Sequence, residues 1–280
     1  MKEQDCLRRF LFEELGVRGE WVRLQDSFQA AKQYQAMPEA VVSSFGQALA
    51  AVTLLSATIK FKGSMILQAQ GEGALRALVA QATDERGIRG LVRCDDDLKA
   101  SSFQQMMGKG RLVLTVESDI SEPYQGVVSL TGEGLAGVLE NYFQQSEQLA
   151  TRLWLFANES QAVGLFLQEL PVQEGYKADW ERIEMLASTV TEEEMLDLDC
   201  EAMLYRLFNE EKVRVYEPEA VTFKCQCSRE KITGTLKSLG REDLDEAFNE
   251  QGIIEVGCEF CGHQYHFNKS DVAAILSEDS

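Results

Sequence analysis

A chain of 280 residues has room for one large domain and a small one, and an apolar share of 45% supports a sizeable core. Its formal net charge of −19 and pI near 4.6 describe a surface that repels phosphate backbones, so nucleic acid is not an expected partner. The opening Met1-Lys2-Glu3-Gln4-Asp5 is charged, with no long apolar run behind it, so no secretory signal is expected. A reducing compartment is then expected, where paired cysteines indicate metal or catalysis.

Residues 7–15 fit a short amphipathic helix ended by Gly16. Val17–Gln25 reads as a strand, with Asp26 or Ser27 placed to cap a helix behind it. Pro38 starts a long helix. Ala40–Ile59 is twenty residues without a charge, about the length of a bilayer span. However, Val41, Phe45, Ala48, Val52, Leu55 and Ile59 recur at helical spacing, and Ser43, Ser44, Gln47, Thr53, Ser56 and Thr58 interrupt the run. This is the pattern of a core helix, and no membrane is expected. Met65–Gln70 reads as a strand, followed by Gly71-Glu72-Gly73 and a helix from Ala74 to Thr83. A strand ends near Cys94, residues 101–107 suggest a short helix, and Arg111–Glu117 pairs with Gly126–Leu130. Gly132-Glu133-Gly134 then opens a helix to about Gln145, before strands Leu149–Phe156 and Val163–Leu170. Strand, Gly-Glu-Gly, helix, strand thus occurs twice at an offset of 61 residues, an expected internal repeat of an α+β core domain over 1–177. A glycine-rich turn before a helix is an anion site in principle. Here a glutamate occupies the turn and the dinucleotide fingerprint is absent, so both copies read as tight turns. No histidine occurs in the first 175 residues, which leaves no Ser/His/Asp arrangement, and an enzyme is not expected.

Residues 178–221 differ in character. They hold thirteen acidic and four basic residues, a net −9. Trp180, Ile183, Ala187 and Val190 form one helical stripe, and Leu196, Cys200, Met203, Leu204, Leu207 and Phe208 form others. Thr191 and Glu194 make a capping box. Short acidic helices need a surface to pack against. The segment is either an ordinary docked connector or a linker near its stability threshold, able to detach.

The zinc-binding region is expected over 222–280. Cys225-Gln226-Cys227 and Cys258-Glu259-Phe260-Cys261 supply four soft ligands in two close pairs, as a tetrahedral zinc site requires. Gly262 is free to take the left-handed turn of the second pair. The single spacer of Cys225-x-Cys227 is unusual for a purely structural site, so a zinc ribbon and a redox-active zinc site both stand at this point. Ser228 caps a helix through about Leu239, residues 241–250 read as a second helix, and strands Ile253–Val256 and Gln264–Phe267 flank the second pair. So small a module needs a metal staple. His263 and His266 come directly after the quartet, and with four cysteines present they read as surface residues. Cys94, before Asp95-Asp96-Asp97, and Cys200, between Asp199 and Glu201, have acidic neighbours that disfavour the thiolate. Cys6 also lies outside the motif. Competing readings are an enzyme with a zinc-ribbon appendage and a binding module with permanent structural zinc.

The chain resembles the redox-regulated heat shock protein 33 family, also called the 33 kDa chaperonin. The resemblance rests on Phe223-Lys224-Cys225-Gln226-Cys227-Ser228-Arg229-Glu230, Cys258-Glu259-Phe260-Cys261-Gly262, Ser238-Leu239-Gly240-Arg241-Glu242 and Leu207-Phe208-Asn209-Glu210-Glu211. It implies a cytoplasmic, ATP-independent holdase that binds unfolding proteins under oxidative stress. It also implies a core domain, a metastable helical linker and a zinc redox switch. One zinc would be held by Cys225, Cys227, Cys258 and Cys261 in an inactive reduced form. Activation would form Cys225–Cys227 and Cys258–Cys261 disulfides, release zinc and unfold the linker, with a dimer as the active state. Trp180, Leu196, Leu204 and Phe208 are the expected apolar contacts of that linker with the core.

Overall fold

A computed structural model describes residues 4–99, 101–118, 122–171, 177–239, 243–244 and 252–277. The chain divides into two compact units, residues 1–224 and 225–280.

The first unit is α+β. Strands β1 (Cys6–Phe12) and β2 (Val17–Leu24) precede helices α1 (Asp26–Lys32) and α2 (Glu39–Thr58). Strands β3 (Gly63–Gly71), β4 (Leu75–Thr83) and β5 (Gly87–Cys94), helix α3 (Phe103–Met107), and strands β6 (Gly110–Ser118) and β7 (Tyr124–Ser129) come next. Helix α4 (Gly134–Tyr142) runs into a π turn (Phe143–Glu147), then come β8 (Thr151–Ala157) and β9 (Ala162–Glu169). Helices α5 (Lys177–Ala187), α6 (Glu192–Asp197) and α7 (Cys200–Phe208) and short strands β10 (Val213–Val215), β11 (Glu219–Ala220) and β12 (Thr222–Phe223) complete it.

Two sheets form. One has the order β10-β1-β2-β9-β8, with β11 also on β1; the other has the order β12-β5-β4-β3-β6-β7. Helix α2 belongs to the core that both sheets share. Its charge-free run is long and apolar enough to cross a membrane, yet 78% of that window is buried inside the unit. Two glycines let it approach. A Cβ on Gly164 of β9 would stand 2.7 Å from Leu54, and one on Gly90 of β5 would stand 2.7 Å from the Phe45 ring. Either atom would force the helix side chain it meets to shift.

Two expected helices are strands. Most of 7–15 lies in β1, with a turn from Glu13, because Leu7 faces the core around α2 while Phe10 and Phe12 face a second cluster on the other side. A strand covered on both faces loses the alternation that would mark it. Residues 75–83 give β4, between β3 and β5. Its alanines favour a helix in isolation, but Leu78, Ala80 and Ala82 are wholly buried in the core that contains α2. The α+β class therefore stands and the internal repeat does not. The two Gly-Glu-Gly turns share a support instead. Gly73 N–H donates to the Met107 carbonyl of α3 (2.8 Å), while Gln104 of α3 donates to the Gly132 carbonyl (2.6 Å).

Helix α1 starts without Asp26 or Ser27 as its cap. Asp5, just before β1, accepts from the backbone N–H groups of Gln25, Asp26 and Ser27 at 3.0, 2.9 and 2.8 Å. This cap is remote in sequence and invisible to a local pattern.

Glu20 of β2 is 2% exposed. Burial pushes its carboxyl up to about 7, against the pull of Arg18, Arg9 and Arg86. The unfolded chain ionises this group near 4.5, so between 4.5 and about 7 the folded state holds the extra proton. Stability is therefore expected to fall by about 3 kcal/mol as pH rises through that window. Urea unfolding followed by tryptophan fluorescence checks this, and Glu20→Gln should remove that share of the slope.

In the second unit, helix α8 (Arg229–Leu239), strands β13 (Ile253–Gly257) and β14 (Gln264–Asn268) and helix α9 (Lys269–Ser277) surround a small core. Its buried members are Leu236, Leu244, Ile254, Phe267, Val272 and Ile275. Strands β13 and β14 pair antiparallel from Ile253↔Asn268 to Gly257↔Gln264. The helix expected over 241–250 lies largely outside the described residues.

Candidate functional site

The quartet is built by two short irregular segments of the second unit. Strand β12 ends at Phe223, so Cys225 and Cys227 lie in coil before α8, whose first turn is capped by Ser228 accepting from Lys231 N–H (3.3 Å). Cys258 and Cys261 sit in the turn between β13 and β14. Gly262 has φ +68 there, and its N–H donates to the Cys258 carbonyl at 2.8 Å. Only a residue tolerant of the left-handed region closes this turn without strain. Cys258 N–H donates to the His263 carbonyl at 2.9 Å.

These turns bring the four sulfurs within 4.8 Å of one another. Cys225 Sγ lies 3.6 Å from Cys258 Sγ, and Cys227 Sγ lies 3.5 Å from Cys261 Sγ. Tetrahedral zinc with Zn–S of about 2.3 Å sets its sulfurs about 3.7 Å apart, so the quartet fits such an ion in donor type, number and spacing. Its electrostatics call for a cation. Burial opposes ionisation of Cys225, but hydrogen bonds from the Cys227 backbone and the other thiols bring it down to about 7. Burial and the neighbouring thiols push Cys261 up to about 12, and burial raises Cys258. Four thiolates together therefore need a counter-charge. The histidines are no part of the group: both are exposed, and His266 Nδ1 lies 3.4 Å from Glu255. Tyr265 was not signalled by the motif. Its hydroxyl is pushed up to about 12, first by its hydrogen bond to Cys227.

The other cysteines are set apart. Cys6 and Cys200 are buried, in the cluster that also holds the linker stripe. Cys94 has its thiol raised by burial and by Asp96 and Asp95.

Within the first unit, α5, α6 and α7 lie on the sheet that holds β1, β2 and β9. Trp180, Ile183, Met195, Cys200, Met203, Leu204, Leu207 and Phe208 join Phe10, Phe12, Trp21, Val163, Leu165 and Leu167 in one buried cluster. The Phe208 ring meets Phe12 edge-on at 4.9 Å. Leu196, the fourth expected contact, is only partly buried against the cluster. Thr191 and Glu194 form the capping box of α6. A polar clamp had no counterpart among the sequence motifs. Arg23 of β2, wholly buried, donates to the carbonyls of Met195, Leu196 and Leu198 at 3.0, 3.1 and 2.6 Å. Gln161 adds a bond to the Leu196 carbonyl at 2.8 Å. These are carbonyls left open at the end of α6. The one signal was an arginine inside the otherwise apolar run Trp21-Val22-Arg23-Leu24 at the end of β2.

The Hsp33 protein family model matches residues 5–268. The chain belongs to the Hsp33 family. A "33 kDa chaperonin" of Nitrosococcus oceani is 56% identical over 278 residues, covering 99% of this chain and 96% of that relative. One of Shewanella woodyi is 44% identical over 275 residues, covering 98% and 96%. The crystal structure of the 33 kDa chaperonin (Heat shock protein 33 homolog) from Thermotoga maritima superposes with a TM-score of 0.84 at 23% identity, covering 98% of this chain and 99% of that one. The mixed helix and sheet architecture is thus that of a solved Hsp33 structure, and the cysteine quartet lies inside the matched span.

Proposed function

We propose that this Hsp33-family chaperone is a redox-regulated, ATP-independent holdase of the cytoplasm, and that its clients are unfolding proteins. The observation that carries the reading is the quartet: four sulfurs within 4.8 Å, in a unit whose buried core is small among the described residues. Zinc, when bound by Cys225, Cys227, Cys258 and Cys261, would cross-link the two turns and hold the sulfurs as thiolates. Joining the sulfurs in pairs, with two electrons per pair passing to an oxidant such as a peroxide, removes those thiolate donors. The second unit then loses its staple. It connects through Lys224 and β12 directly to β11, β10 and the acidic helices, whose departure would uncover Phe10, Phe12 and Trp21 for clients. Aggregation of a heat-unfolded client tests the reading. Suppression by the oxidised, zinc-free protein and none by the reduced, zinc-loaded protein is expected. Equal suppression by both would overturn it.

Pairing between sequence neighbours, Cys225–Cys227 and Cys258–Cys261, is the expected outcome of oxidation. It is the pairing that the family resemblance implies. Sulfur contacts of 3.6 and 3.5 Å join the other partners, and all four sulfurs lie close enough for either pattern. Peptide mapping decides: crosslinks mainly from 225 or 227 to 258 or 261 would refute neighbour pairing. Uncovered apolar surface also favours association, so the oxidised protein is expected to be a dimer. Sedimentation at micromolar concentration checks this, and a monomer in both redox states would rule it out. Neither nucleic acid nor membrane is proposed as a partner of so acidic a chain.

A further inference from the structure

Away from the cysteines and the docked helices, the first unit contains a cavity of about 330 Å³. It lies at the C-terminal end of α2, and Leu55, Ile59, Met65, Leu114, Val116 and Phe143 make it predominantly apolar. That volume is at the lower end of what small-molecule pockets occupy. One wall is the π turn Phe143–Glu147, a rare backbone form that recurs at ligand sites.

The two polar ends of the cavity differ. At one, Tyr124 and Tyr142 hydroxyls lie 3.0 Å apart and each reaches Glu147 Oε1 at 3.1 Å. This triangle is closed on itself and fastens the π turn to β7. At the other end stands Arg18 of β2. Its Nε and one Nη donate to Gln168 Oε1 at 3.2 and 2.6 Å, and the other Nη donates to the Thr58 carbonyl at 2.9 Å. Those bonds also close the open end of α2, which explains how the side chain is held. All three use neutral acceptors, and a guanidinium has five N–H donors. Two donors and the full charge therefore remain at the cavity mouth. Beyond Arg18, two adjoining depressions are lined by Arg9, Lys60 and Arg86 against Glu20 and Asp84. Arg9 and Arg86 both pair with Glu219, at 2.6 and 2.9 Å, so four cations meet three acids here, a small positive excess on a chain of net charge −19.

We propose that the cavity binds a single-chain alkyl carboxylate, with its chain among Leu55, Met65, Leu114 and Phe143 and its carboxylate on Arg18. A carboxylate suits the two spare donors of a planar fork. Each methylene added to the buried chain should strengthen binding about fourfold, until the cavity is full.

Titration calorimetry of the full-length, reduced, zinc-loaded protein tests this with decanoate below its micelle concentration, beside hexanoate and decanol. Decanoate should bind saturably and at one site, more tightly than hexanoate and decanol. Arg18→Met should weaken decanoate about tenfold or more and leave decanol unchanged. Leu114→Trp fills the cavity and should abolish both. A chaperone surface that merely collects alkyl chains would bind without saturation, or would bind equally in the Leu114→Trp variant, and either result overturns the proposal. If circular dichroism shows that Leu114→Trp is not folded, Arg18→Met decides: unchanged decanoate affinity rejects the site.

Discussion

Replacing Cys258 by serine is expected to cost the second unit its metal and its fold while the first unit stays native. The reason is a comparison of magnitudes. Zinc in small four-ligand modules contributes about 10–16 kcal/mol at neutral pH. Whole domains are stable by about 5–15 kcal/mol. Behind the quartet stand six described core side chains, Leu236, Leu244, Ile254, Phe267, Val272 and Ile275, and one two-stranded sheet. A core of that size does not replace the lost crosslink. The first unit has two sheets and its own core, and none of the four ligands belongs to it. Metal analysis should give one zinc per chain in the parent and none in the variant. Hydrogen exchange should show β13 and β14 unprotected while β3, β4 and β6 remain protected. Full zinc retention in Cys258→Ser with His263 and His266 also replaced would refute the ligand set.

Leu204→Ala and Phe208→Ala are expected to activate the chaperone without any oxidant. Both side chains are almost wholly buried between α7 and the sheet, at 4% and 2% exposure, and Phe208 also loses its edge contact with Phe12. Truncation at such sites costs roughly 2–5 kcal/mol. The helices that bear this loss carry most of a net −9, and self-repulsion adds to their instability once undocked. The ion pairs that tie these helices to the rest of the unit, such as Arg152–Glu184 and Arg8–Glu201, each keep a partner open to solvent and are worth little. The reduced variants should suppress client aggregation while the four cysteines still bind zinc, and exchange should show residues 178–221 unprotected. If the helices become unprotected and the reduced variants still fail to hold clients, covering by the helices does not control activity.

The quartet was legible because its chemistry is local: two short cysteine spacings and a glycine after the second. The linker stripe was legible because Trp180, Ile183, Ala187 and Val190 repeat at helical spacing on a polar background. What failed was any element whose environment comes from distant chain. Strand β1 is covered on both faces, so its periodicity vanishes. Strand β4 needs alanines where helix and sheet meet, and alanine by itself favours a helix. Asp5 caps a helix some twenty residues away, and Arg23 closes the end of another about 172 residues away. No local pattern carries such information. The expected repeat failed for the same reason: Gly-Glu-Gly reports a turn, but packing partners decide whether the next element is a helix or a strand.

Strand β1 is not an outer strand only because the returning chain lies along it. Its residues pair with β2 on one side, while β10 and β11 occupy the other, from Phe12↔Val213 to Cys6↔Ala220. Both short strands lie between the acidic helices and the cysteine unit. Were they to leave with those helices, seven residues of β1 would become an open sheet edge, with a row of backbone N–H and C=O groups facing outward. Such an edge accepts any extended chain by main-chain hydrogen bonds, whatever its side chains. The uncovered state would thus offer an unfolded polypeptide two grips at once, an apolar face and a backbone template that is indifferent to sequence.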